Sequence, residues 1–347
     1  MLTSVFNLQS NFHLQGFPML LLTHADVEAV LTMEETIAAL DAGFRQLAQG
    51  TVAMPQRAVT PIGPRNGLHL SMPAYVGGAA DSLAVKILTV YADNPAKRGL
   101  PMIQGVLLLY DAETGTLLAL MDAEHLTAMR TGAVSGLATR QLARPDASIL
   151  TLFGAGAQAF AQAQAVCAVR PIEQIFVITR TGAKDASFCI HLETQLGVGA
   201  VPCRDVRMGV ESADVICTAT NAVEPLFNGN WVQDGAHVNA VGAYTRTMRE
   251  LDSHLLAEAR VYVDHHPAAQ AEAGDIMIPI ELGELTYDHV VGDLGSLLLG
   301  QVEGRLHASD ITVFKSVGLA MQDAVTAPRV YANALASGVG TQVDLAV

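Results

Sequence analysis

The chain has 347 residues, half of them hydrophobic, and 34 acidic against 20 basic side chains give it a formal net charge of −14. That length accommodates two domains with separate cores. The acidic balance argues against nucleic acid or an anionic membrane surface as a partner. No apolar run approaches the ~18 residues of a membrane span, and no positive charge precedes Arg45 as a secretory leader would require. The reading is a cytoplasmic protein. Four cysteines without C-x-x-C spacing predict buried free thiols, and the scattered histidines predict no metal site.

Residues 1–17 read as an N-terminal arm. Met19–Leu22 reads as a strand, and apolar positions from Val27 to Leu47 predict a helix opened by Thr23 or Asp26 and closed by Gly50. Strands follow around 57–61, 68–75 and 83–90, then 105–110 and 117–121 around the hairpin turn at 111–115. A helix from about 122 ends at Leu142, before Pro145. Beyond it, strands at 149–153, 175–179, near 201, 215–218, 237–241 and 260–263 alternate with helices, the rhythm of a doubly wound parallel sheet. Residues 312–318 lead into a last helix at 319–335, where the chain returns to its first part. The expected organisation is α/β: an arm at 1–17, an α+β domain at 18–145 plus 306–347, and a Rossmann dinucleotide-binding domain at 146–305.

The central motif is Gly154-Ala155-Gly156-Ala157-Gln158-Ala159, directly after the strand ending at Phe153 and before an Ala/Gln-rich helix. In that context Gly154 permits the tight turn, Gly156 admits a pyrophosphate to the backbone, and Ala159 keeps the helix close to the strand. By itself the motif fits other α/β turns equally well. The second strand ends in Thr179-Arg180-Thr181, with Lys184 behind. An arginine rather than a carboxylate at that tip suits a 2′-phosphate, hence NADP(H) over NAD(H), although Arg180 also fits an ordinary exposed arginine.

Lys86 stands in Leu83-Ala84-Val85-Lys86-Ile87-Leu88, a strand apolar on both faces. A lysine there is either paired and perturbed, as catalytic lysines are, or snorkels from an edge. Arg130 is the one charge in a run of small and apolar residues from Leu126 to Gly136, suited to carboxylate capture or to a buried salt bridge. Arg57 is a third candidate, structural on pattern alone.

These residues resemble the ornithine cyclodeaminase/μ-crystallin family over about residues 19–335. The signatures are Met72-Pro73-Ala74-Tyr75, Val85-Lys86 followed by Asn94, Thr114-Gly115, Met121-Asp122 and Leu126-Thr127-Ala128-Met129-Arg130-Thr131. To these are added the glycine turn, Arg249-Glu250-Leu251-Asp252 and Val313-Phe314-Lys315-Ser316-Val317-Gly318. The resemblance implies a split domain with substrate and dimer contacts wrapped around the Rossmann domain, and hydride transfer at an amino-acid α-carbon. It implies that Arg57 and Arg130 hold a substrate carboxylate, with Arg130 also near the cofactor, and that Lys86 is the acid/base group. Ala157 and Gln158 would contact pyrophosphate, and Thr179, Arg180 and Thr181 the adenosine end. Thr218 and Val241 would line the cofactor cleft, with Ser316 and Val317 near nicotinamide and substrate.

Cyclodeaminases carry an aspartate on the loop after the fifth strand, and here Tyr244 takes its place. A phenol with a pKa near 10 cannot serve as that base at neutral pH. The expectation is therefore an NADPH-dependent reductase of cyclic ketimine carboxylates, acting as a homodimer. Its rivals are ornithine cyclodeaminase, an alanine or other amino-acid dehydrogenase, and a non-catalytic NADP-binding protein.

Overall fold

A computed structural model describes residues 18–344, so the predicted arm at 1–17 lies outside the described residues. β1 (Met19–Leu22) leads into α1 (His24–Val30), where Thr23 and Asp26 cap one another reciprocally. The single helix expected here is broken. Leu31 leaves helical geometry, and the Thr32 side chain accepts from Glu35 N to start α2 (Met33–Ala48). A second capping threonine inside the apolar pattern is what divides it.

Next come β2 (Val52–Ala53), β3 (Ala58–Ile62), β4 (Gly67–Val76), β5 (Ser82–Tyr91), α3 (Asn94–Arg98), β6 (Ile103–Asp111) and β7 (Leu117–Asp122). They form a largely antiparallel sheet, with β1 parallel to β7. Alternation sorts its two faces. Met72, Ala84, Leu107 and Met121 turn inward onto Leu40, Phe44 and Leu126, whereas Val85, Ile87 and Leu108 on the other face stay half-buried and Tyr75 and Val106 are exposed.

α4 (Ala123–Leu142) joins this sheet to the second. The chain continues through β8 (Ile149–Phe153), α5 (Ala157–Val169), β9 (Gln174–Ile178), α6 (Asp185–Leu196), β10 (Gly199–Pro202), α7 (Val206–Glu211) and β11 (Val215–Thr218). β12 (His237–Ala240), α8 (Ser253–Glu258), β13 (Arg260–Val263), α9 (His266–Glu272), α10 (Gly274–Glu281), β14 (Val290–Asp293), α11 (Leu294–Leu298) and β15 (Thr312–Lys315) complete the unit. The strands are all parallel, in the order β10-β9-β8-β11-β12-β15-β13-β14.

The boundary expected at 305/306 is corrected by β15. Val313 and Phe314 are buried between β12 and β13 in the second sheet, so the chain crosses back only at 316–319. It then enters α12 (Ala320–Ser337), which packs on β4 and β5, and ends in β16 (Thr341–Val343), antiparallel to β1.

Small residues lock the two halves together. A Cβ on Gly132 of α4 would lie 2.3 Å from the Ala161 carbonyl oxygen of α5, and one on Gly136 would lie 3.1 Å from Ala165. The pairing 132–161 and 136–165 runs the helices parallel, so Arg130 lies on α4 near the N-terminal end of α5. At the other end, Arg170 donates to the carbonyls of Thr139, Arg140 and Ala143 at 2.7, 3.0 and 2.9 Å. Arg170 thereby caps the last turn of α4, including the Thr139 carbonyl that also accepts from Ala143 N.

Candidate active site

The glycine turn has the form a dinucleotide requires. Gly154 has φ +119, and a Cβ there would meet the Ala219 carbonyl oxygen at 2.8 Å, so only glycine fits. Gly156 caps α5 without any side-chain hydrogen bond, and a Cβ built on it meets nothing within 4 Å. Ala157 is exposed and Gln158 half-buried on the first turn. Free N–H groups at a helix N-terminus beside open space suit a pyrophosphate. These residues therefore fit a dinucleotide.

At the tip of β9, Arg180 and Thr181 are exposed. The Thr179 hydroxyl bonds to Asp185, a carboxylate that is almost completely buried and also lies 3.6 Å from Arg204. Arg204 donates to the Gly182 carbonyl at 3.3 Å, adding a second arginine to this turn. The nearest acid is thus turned inward beneath the turn, away from where a ribose would be read.

Lys86 on β5 is 1% exposed and pairs with Asp323 of α12 at 2.7 Å, with Thr127 of α4 at 3.4 Å. Burial, together with the charges of Arg130 and Arg57, pulls its pKa down to about 8, against the opposing pull of Asp323. Arg130, 5% exposed, reaches the other oxygen of Asp323 at 3.2 Å and donates to the Gln322 side-chain oxygen at 2.5 Å. Of the alternatives left open by the sequence, Lys86 takes the paired and perturbed one and does not snorkel, Arg130 forms the buried salt bridge, and the two share one carboxylate.

Arg57, just before β3, pairs with Glu272 of α9 at 2.8 Å and donates to the carbonyls of Gly318 and Val317 at 2.8 and 3.2 Å. Burial raises the Glu272 pKa, which the Arg57 charge opposes. A cavity of about 150 Å³ opens here, lined by Arg57, Met54, Met72, His265, Glu272 and Gly318 among others. Met72 is the cross-strand partner of Lys86, and Arg130 lies against Gly318. Arg57 thus lines the hollow itself, whereas Lys86 and Arg130 lie buried behind its wall, next to Met72 and Gly318.

Other expected residues lie at the ends of the parallel strands. Thr218 is buried, its hydroxyl committed to Glu250 at 2.9 Å, while Val241 is half-buried on the next loop. Tyr244 is 38% exposed on that same loop. Ser316 is buried, its hydroxyl donating to Asp264 at 2.8 Å, and Val317 N meets the same carboxylate at 2.8 Å. Sequence reasoning misses Asp323, Glu272 and Asp264. Asp323 is findable: it is a lone acid in Ala320-Met321-Gln322-Asp323-Ala324-Val325, the mirror image of Lys86.

Fold and site together define an enzyme, an oxidoreductase acting on C–N bonds with a nicotinamide cofactor. The chain belongs to the ornithine cyclodeaminase/mu-crystallin family, whose model matches residues 18–338. Among its relatives is a Delta(1)-pyrroline-2-carboxylate reductase of Bacillus cereus, 36% identical over 327 residues, covering 94% of this chain and all of the relative. The structure of the Thermococcus litoralis Delta(1)-pyrroline-2-carboxylate reductase with NADH and L-proline superposes with TM-score 0.90 at 39% identity, covering 94% of this chain and 100% of that one. An archaeal alanine dehydrogenase dimer with bound NAD follows at TM-score 0.88 and 32% identity, over 95% of this chain and 100% of its own. Among the described residues no helix is long and apolar enough to cross a membrane.

Proposed function

We propose that this protein reduces cyclic ketimine carboxylates, Δ1-pyrroline-2-carboxylate or Δ1-piperideine-2-carboxylate, to the corresponding saturated cyclic amino acids, L-proline or L-pipecolate, with NADPH preferred. The observation that carries the reading is a group of three cations close enough to act on one another, with Arg57 on the cavity wall and Lys86 and Arg130 buried behind Met72 and Gly318. A reduced nicotinamide supplies the hydride; the remaining work falls to the chain.

Arg57 and Arg130 hold the substrate carboxylate, a role for which guanidinium forks are suited. Arg57 is paired with Glu272, so the incoming carboxylate takes over part of that pairing. Lys86 gives a proton to the ring nitrogen, and a pKa near 8 keeps it both protonated at neutral pH and willing to release. Asp323 fixes the lysine relative to Arg130, so carboxylate and nitrogen are held in one orientation. Tyr244 supplies no acid on its loop, which favours net reduction over cyclodeamination.

The coenzyme preference rests on Arg180, since the Thermococcus relative was captured with NADH. The half-buried outer face of the first sheet, with Val85, Ile87 and Leu108, suits a second copy, so we assign a homodimer. The test is absorbance of the reduced cofactor with each cyclic imine, with pyruvate plus ammonia, and conversion of ornithine scored separately. NADPH oxidation with the imines and without ammonia is expected. Turnover of ornithine or of pyruvate with ammonia, and of neither imine, would replace the reading with a cyclodeaminase or an alanine dehydrogenase.

A further inference from the structure

A cluster of buried charges outside the substrate cavity has no part in the chemistry just described. Glu250 is completely buried and accepts five hydrogen bonds. Its Oε1 takes Thr220 N and Thr220 Oγ1, each at 2.7 Å, from the loop after β11. Its Oε2 takes Gly242 N at 2.8 Å and Ala243 N at 3.2 Å from the loop after β12, and Thr218 Oγ1 at 2.9 Å. A carboxylate offers about four lone-pair sites, so Glu250 is saturated, with each oxygen facing a different loop. Asp275 in turn accepts from Glu250 N and Leu251 N at 2.6 and 2.9 Å, and its other oxygen lies 2.8 Å from Lys315 Nζ at the end of β15. Lys315 and Asp275 are both wholly buried.

One chain of three charges therefore ties together the carboxyl ends of β11, β12 and β15, which are neighbours in the sheet. A doubly wound sheet binds its dinucleotide across the crevice where strand order reverses, here between β8 and β11. Arg180 and the glycine turn stand on the β8–β9 side. The loops bound by Glu250 stand on the other side, where the second half of a dinucleotide spanning the crevice would lie.

We infer that Glu250 is a positioning residue for the nicotinamide end of the cofactor, braced by Asp275 and Lys315. It touches no ligand itself; it fixes the loops bearing Val241 and Tyr244 against β15, which feeds directly into Ser316 and Val317. Glutamine at 250 keeps the size but turns an amide NH2 towards backbone N–H donors, so one loop loses its anchor. The inference depends on the nicotinamide cofactor and not on the imine substrate, so binding alone tests it.

The experiment compares Glu250→Gln with the parent chain for NADPH and NADH, and for ADP-ribose with and without the 2′-phosphate, which lack the nicotinamide. Losing charged hydrogen bonds predicts about tenfold weaker binding of the reduced cofactor, while the ADP-ribose forms change by less than about twofold. Equal losses for both ligand types, or no loss for either, would overturn the inference. Should Glu250→Gln fail to fold, Thr220→Val removes one hydroxyl donor at the rim and predicts about a threefold loss with the same split; an unsplit response counts against the inference. A parent chain that binds neither nucleotide would instead overturn the cofactor reading on which this one rests.

Discussion

Each half of the molecule buries one lysine against one aspartate, and the two pairs are built for opposite ends. Lys86 and Asp323 lie between the first sheet and α12, 2.7 Å apart; Lys315 and Asp275 lie at the carboxyl end of β15, an interior strand of the second sheet, 2.8 Å apart. Their surroundings differ in sign. Lys86 faces two further cations, Arg130 and Arg57, which with burial bring its pKa to about 8. Lys315 faces a second carboxylate, Glu250, whose pKa burial raises and the Lys315 charge opposes. Extra positive charge makes Lys86 ready to give up its proton, while Lys315 sits in a hydrogen-bonded and ion-paired network that spans three strand ends. A buried ion pair is thus not one kind of object: its third and fourth neighbours decide whether it serves chemistry or architecture.

Lys86→Met tests the comparison hardest. Removing a positioned proton donor lowers kcat by about 10²–10⁴-fold, with NADPH binding retained because the glycine turn is untouched. Lys315→Met should do the reverse. It strands Asp275 as an uncompensated buried charge, costing about 3–5 kcal/mol of stability, read as a lower Tm in thermal unfolding. Loss of turnover equal in both variants at equal folded fraction would erase the distinction.

Much of this division is legible in the sequence, and the limits are physical. Lys86 and Arg130 stand out because each is a lone charge in an apolar window, but with both faces of its strand apolar, alternation alone does not say which way Lys86 points. Their shared partner, Asp323, is 193 residues from Arg130 in the chain and further still from Lys86; only the crossing of α12 over β4 and β5 brings it there. Glu272 carries no such signal, since its window is mixed and its pairing with Arg57 depends on how α9 meets the first sheet. Residues 312–318 read only as a lead into the last helix, because four apolar-flanked residues show no period of their own that would place them in the second sheet. The stretch at 24–48 reads as one helix because Thr32 falls within an otherwise regular apolar pattern.

Arg180 offers the next largest effect, in the other half. It is exposed, and the nearest acid, Asp185, is buried under the same turn. Arg180→Asp should lower the ratio of kcat/KM for NADPH over NADH by about 10–100-fold, because a charge-assisted hydrogen bond gives way to a repulsion. Turnover with NADH should stay near its parent value. An unchanged ratio would remove Arg180 from coenzyme choice and point to Arg204 across the turn.

The smallest effect is the most specific to the Lys86 pair. In the reductive direction the lysine must carry its proton, so kcat/KM should be level at neutral pH and fall about tenfold per unit above pH 8. Of the charges facing Lys86, Arg130 and Arg57 favour its neutral form and Asp323 alone favours the charged one. Asp323→Asn removes that support, so the descending limb should move to lower pH, by about one unit, as expected on neutralising a partner carboxylate. Arg130 also loses its ion-pair partner, which lowers the plateau but leaves the position of the limb to the lysine. The pH profile of kcat/KM, measured with saturating NADPH, separates the two effects. A limb that stays in place or moves upward would mean that another group supplies the proton, with Glu272, raised by its own burial beside Arg57, the next titratable side chain on the cavity wall.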